Sequence, residues 1–273
     1  MFIVLQASTE IGIKASELLK LFNSRTCQLV LGAGAVSVAG LKTITIRNLA
    51  VTRASLALAA LLIPGVKQHL MQLATSATEK QSTSLARNFD NAAKDYQEHL
   101  AELDKKIVQV VDAALNQQLA NWERRPPVPS DSFKAIGKQL TKFHEAVHDI
   151  LAPEKVAALF LTIHNTFLQR VRARLAEVGL RPDNSPSHGL VMSELIFYRE
   201  NLKYINVLPE ETLRDSALNV IWEVKLRRNT NNSNSLEEVF LKVELLSCVN
   251  KIFHFTFYIL HWRKLGFLRQ RIY

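Results

Sequence analysis

The feature that most constrains the fold of this 273-residue chain is a long run of apolar residues spaced by three and four positions. The run comprises Phe89, Ala93, Tyr96, Leu100, Leu103, Ile107, Val110 and Ala114. Side chains at this spacing lie on one face of an α-helix, which has 3.6 residues per turn. The pattern predicts one long packed helix over about 82–122, followed by a helix-breaking group of prolines, Pro126, Pro127 and Pro129.

Shorter runs with the same period cover most of the remaining chain. They predict helices over about 13–31, 43–63, 130–153 and 153–179, and a final helix or helix pair over about 190–222, divided near Pro209. Ser130 is an expected N-cap, Pro64 with Gly65 an expected stop, and Gly179 an expected terminus. The stretch 181–189 is predicted to be an exposed loop. No long stretch alternates strictly between apolar and polar residues, so we expect an all-α protein, built as an elongated rod of stacked antiparallel helical bundles.

A change of composition near residue 225 divides the chain. Arg228 to Ser235 is a polar linker, and Leu236 to Tyr273 is apolar and basic. We therefore predict a helical region over 1–225, whose start is truncated, and a linker with an atypical tail over 226–273. Residues 252–262 of the tail carry no Lys, Arg, Asp or Glu. They are fewer than the roughly 18 residues that a spanning helix needs, which favours a surface or core helix.

The distribution of charge suggests where a partner binds. Lysine and arginine outnumber the acids by 34 to 25, and no acid occurs between Leu18 and Thr78, where six bases lie. Within this segment Lys42, Arg47 and Arg53 are the predicted contacts with a membrane or partner, with an anionic lipid as one candidate. The alternative is a solvated helix surface beside the acids that begin at Glu79. Nucleic acid is not expected, because no RNA-binding aromatic motif, zinc-finger spacing or basic zipper accompanies the charge.

Two short motifs are typical of enzymes but are incomplete here. Gly32-Ala33-Gly34 follows an apolar run, as in a dinucleotide-binding turn, but Ser37 replaces the third small residue and the downstream acid is missing. We interpret these small residues as a place where one helix ends and another begins, and expect no cofactor and no small-molecule substrate.

The second motif is His144-Glu145-Ala146-Val147-His148, which matches the H-E-x-x-H pattern of zinc peptidases. In that hypothesis His144 and His148 bind zinc and Glu145 activates the bound water. Leu151 and Glu154 stand where the metzincin extension requires Gly and His. The favoured interpretation therefore places both histidines beside the apolar stripe of Phe143 and Val147, with one edge in solvent.

A series of short segments, in order along the chain, resembles one known family. They are residues 23–35, 40–45, 48–50, 88–90, 94–96, 128–130, 138–142, 144–146, 189–191 and 197–198. Together they resemble the C-terminal half of the fifty-fourth vacuolar-protein-sorting subunits of the Golgi-associated retrograde protein (GARP) complex, a multisubunit vesicle tether. The syndetin-like subunits of a sister tether are similar around 40–50 and are the nearest competitor.

This resemblance implies a non-catalytic protein made of stacked helical bundles. It implies a role in retrograde transport from endosomes to the trans-Golgi network, on the cytoplasmic face of these membranes. The implied partners are the other subunits of the complex, and endosomal membrane or small GTPase and SNARE adaptors. The alternative function is a zinc metallopeptidase using residues 144–148.

Overall fold

A computed structural model describes residues 2–31, 35, 43–73, 79–180, 185–214 and 221. Over these residues it contains six α-helices, one short 3-10 helix and no strand. The α-helices are α1 (Phe2–Gln28), α2 (Ile46–Leu73), α3 (Glu79–Ala120), α4 (Asp131–Val147), α5 (Pro153–Glu177) and α6 (Pro186–Ile205), and the 3-10 helix is η1 (Glu210–Leu213). The predicted all-α class is confirmed. The predicted linker and tail over 226–273 lie outside the described residues.

Helix α3 is the element on which four of the other five described α-helices pack. It contacts α1, α2, α4 and α5, while α1 also packs on α2, α2 on α4, and α4 on α6. At about 1.5 Å per residue, its length is about 63 Å. The buried side chains of α3 join those of its neighbours in one apolar core.

The buried face of α3 begins as predicted and then departs from the prediction by one residue. Phe89, Tyr96, Leu100, Leu103 and Ile107 are buried, as predicted, whereas Ala92 is fully buried in place of the predicted Ala93, which is only partly buried. Beyond Ile107 the buried positions are Val111, Leu115 and Leu119, whereas Val110 is 37% exposed. The predictions for Val110 and Ala114 were wrong because successive steps of four bring two leucines into the core, where they bury more apolar area than an alanine.

Helix α1 is held against α3 by close packing and by buried hydrogen bonds. A Cβ on Gly12 would lie 2.9 Å from the Leu85 side chain, so glycine permits the approach of the two helices. The Tyr96 hydroxyl donates to the carbonyl of Leu19 at 2.9 Å, and burial raises the pKa of Tyr96 to about 12. Helix α1 begins at Phe2 rather than near residue 13, since no proline interrupts this stretch.

Pro64 does not end α2, and that prediction was wrong. The helix continues through Pro64 to Leu73. Proline removes one helical hydrogen bond, because it has no N–H to donate to the carbonyl of Ala60. Continuation buries Leu70 in the core and brings Lys67 to 2.6 Å from Asp90 of α3. These contacts offset the lost hydrogen bond.

Two predicted helix ends are confirmed. The Ser130 hydroxyl accepts a hydrogen bond from the N–H of Phe133 at 3.4 Å and so caps α4. Gly179 follows α5 in the left-handed conformation, with φ of +66°. The apolar stripe of Phe143 and Val147 is also buried, together with Phe133, Ile136 and Leu140 of the same helix.

Helix α6 begins earlier than predicted. It starts at Pro186, inside the predicted loop, because the Ser185 hydroxyl accepts from the N–H of His188 at 3.2 Å and proline suits the first helical turn. Residues 181–184 of that loop lie outside the described residues. Helix α6 ends at Ile205, and η1 follows Pro209, so the predicted division near Pro209 is confirmed.

Candidate functional site

Three bases of the segment without acids pair with acids from distant parts of the chain. Arg47 lies 3.2 Å from Asp149, and its side chain is 56% exposed. Arg53 lies 2.7 Å from Asp104 of α3, and Lys67 contacts Asp90 of the same helix. The hydrogen bond from Arg47 lowers the pKa of Asp149. All three acids follow Glu79 in the sequence, in agreement with the alternative of a helix surface beside acidic neighbours.

Arg53 is the most enclosed of these bases. Its side chain is 14% exposed, and the carboxylate of Asp104 that it contacts also accepts a hydrogen bond from Lys155 of α5 at 3.1 Å. This network joins α2, α3 and α5 and leaves little of the Arg53 charge facing solvent. Lys42 lies outside the described residues. The contact role of Lys42, Arg47 and Arg53 stays a prediction.

The H-E-x-x-H motif lies at the C-terminal end of α4. The rings of His144 and His148 stack with centroids 4.9 Å apart, and the His144 ring also meets the edge of Phe160. Burial, followed by the neighbouring His148, lowers the pKa of His144. Over the described part of the chain no three His, Cys, Asp or Glu side chains form a group that could hold a metal ion. These observations give the zinc-peptidase hypothesis no support.

A further histidine lies in the core between α5 and α6. His164 is 2% exposed, and its Nδ1 shares a hydrogen bond of 3.0 Å with the Tyr198 hydroxyl. Burial lowers the pKa of His164 to about 4, so the imidazole is neutral at physiological pH. The ring of Phe167 stacks on Tyr198 at 4.3 Å. This pair is a satisfied polar contact inside the core.

Most of the exposed large apolar residues of the described chain lie on α2 and on α1 or directly after it. We use the term α1/α2 surface for nine large side chains that are between 38% and 65% exposed: Ile11, Leu18, Phe22, Leu29, Val51, Leu58, Leu62, Val66 and Leu73. A soluble protein rarely exposes so many large apolar side chains on adjacent helices, and such patches mark interaction sites.

The two helices of the α1/α2 surface border an apolar groove. Its lining comes from Ile11 and Ala15 of α1 and from Leu62, Gly65, Val66, His69 and Leu70 of α2. The groove has a volume of about 500 Å³ and is open to solvent. Nothing lies within 4 Å of the position that a Cβ would take on Gly65. The α1/α2 surface therefore contains a shallow, mostly apolar depression, in which His69 is the one polar side chain of the lining.

Helix α2 is apolar on several sides. Its most apolar 18-residue window has a mean hydropathy of 1.8, and 22% of this window is buried. By length and composition alone the helix is able to cross a membrane, a test that a buried core helix also passes. In this fold α2 packs on α1, α3 and α4, and its three bases pair with acids. Helix α2 thus has a buried face and a second apolar face that the described residues leave open.

The sequence contains a signal for this surface, but periodicity alone does not distinguish its exposed residues from core residues. Leu18, Phe22 and Leu29 lie near the buried Val30 at near-helical spacing, so their positions in the sequence do not mark them as exposed. The useful signal is the composition of α2, which has no acid and three bases in 28 residues. A helix with apolar residues on all sides buries them only where another helix or another protein packs on each side.

Comparisons with known proteins identify the family. A family model described as Vps54-like protein matches residues 3–113. Vacuolar protein sorting-associated protein 54 of Drosophila melanogaster is 38% identical over 206 residues, which are 76% of this chain and 20% of that protein. The Homo sapiens protein of the same description is 39% identical over 220 residues, which are 80% of this chain and 22% of that protein. The chain therefore spans about a fifth of the length of the curated relatives it matches.

A solved structure is also similar in sequence. It is described as the C-terminal domain of the Vps54 subunit of the GARP complex, and it is 35% identical to this chain. The match covers 49% of this chain and 99% of the solved one, with a TM-score of 0.43. The resemblance seen in the ordered sequence segments is confirmed by the family model and by the identities to the curated relatives, and the chain belongs to the Vps54-like family.

Proposed function

We propose that this chain is a non-catalytic region of a subunit of a GARP-type vesicle tether. It acts in retrograde transport from endosomes to the trans-Golgi network, on the cytoplasmic face of these membranes. The observation that carries this proposal is the identity of 35–39% to Vps54 proteins and to a domain of the Vps54 subunit of the GARP complex.

The physical properties of the described helices suit a protein that acts by binding. A tether has to bridge a distance, and the 42 residues of α3 extend over about 63 Å. Its buried face and the polar contacts to α1 make this helix a stiff support for its neighbours. The α1/α2 surface offers apolar area for a partner instead of a set of reactive groups.

The proposed partners are the other subunits of the complex, and endosomal membrane or a small GTPase or SNARE adaptor. Of the two predicted contact bases that the structure describes, Arg47 has the geometry that better suits such a contact, because more than half of its side chain is exposed. Arg53 suits it least, because Asp104 and the surrounding helices enclose it. A test of the contact residues therefore changes Lys42 and Arg47 and leaves Arg53 intact.

The test follows the tagged full chain in cells by fluorescence and by membrane fractionation. We expect the native chain to co-fractionate with endosomal membranes, and Lys42→Glu with Arg47→Glu to release it. Lys138→Glu is the matched control, since Lys138 is an exposed base on α4 outside the predicted contact. A native chain that stays diffuse in the cytosol contradicts the proposed membrane or adaptor contact. Release by the Lys138 variant to the same extent contradicts the choice of contact residues.

The transport role is tested separately in cells that lack their own Vps54-like protein. The chain is joined to the remainder of the Drosophila melanogaster relative, where it replaces the segment that it matches. We expect this joined protein to restore the return of a cargo receptor to the trans-Golgi network. Cargo that remains in endosomes, although the joined protein is present at the level of the intact relative, contradicts the role in retrograde transport.

A further inference from the structure

We draw no further inference here: the strongest candidate, the apolar α1/α2 surface with the shallow groove that its two helices border, carries nothing because no feature of the described residues shows what covers it.

Discussion

Two adjacent valines on α3 provide a direct test of how this helix is oriented. Val111 is 3% exposed and Val110 is 37% exposed. Asparagine has about the same volume as valine and about the same helix propensity, so replacement at each site differs mainly in burial. Val111→Asn loses about 1.5–3 kcal/mol of apolar burial and encloses an amide at a further cost of about 1–3 kcal/mol. Val110→Asn leaves the amide in water, and we expect a loss of about 1 kcal/mol or less.

The measurement is thermal and urea unfolding of the full chain, followed by circular dichroism at the helical minimum. At about 2–4 °C per kcal/mol for a protein of this size, Val111→Asn should lower the Tm by roughly 5–24 °C and Val110→Asn by a few degrees at most. The urea slope should stay the same in both variants, since the exposed area on unfolding does not change. Equal losses at the two sites, or a larger loss for Val110→Asn, would show that the buried face of α3 is assigned one residue out of place.

Three further predictions concern polar contacts of the core. The pKa of His164 is about 4 in the folded chain and about 6.5 in the unfolded chain. The free energy of unfolding therefore keeps its full value above pH 6.5, where the imidazole is neutral in both states, and falls by up to about 3 kcal/mol as the pH drops to 4. Urea midpoints at pH 7.5 and 4.5 should differ less in His164→Phe than in the native chain. The buried Glu194 accepts from the N–H of Ser130 at 3.0 Å, so Glu194→Leu should cost about 1–3 kcal/mol in the same assay, and an unchanged midpoint would contradict this contact. A double-mutant cycle of Arg53→Ala and Asp104→Ala should give a coupling above the roughly 0.2–1 kcal/mol of exposed pairs, and a value near zero would show that the pair is not enclosed.

Periodicity and helix-end chemistry were sufficient to predict most of the helices. The spacing of Phe89 to Ile107 predicted a long packed helix because only residues on one face of a helix can share a core. Ser130 and Gly179 predicted helix ends because their conformational preferences act locally. Pro64 misled this reasoning, since the tertiary contacts of Leu70 and Lys67 outweigh the single hydrogen bond that proline removes.

The sequence alone determined that the chain is helical, which apolar residues share a helix face, and that the bases cluster before residue 79. Only the tertiary structure decided what covers each face. It placed Asp90, Asp104 and Asp149 beside bases 23, 51 and 102 residues away, and it buried the side of α1 and α2 that faces α3 while leaving Leu18, Leu58 and Leu62 open. The physical reason is that periodicity records how side chains are arranged around one helix. Burial and ion pairing depend on which other helix, or which other protein, lies against it.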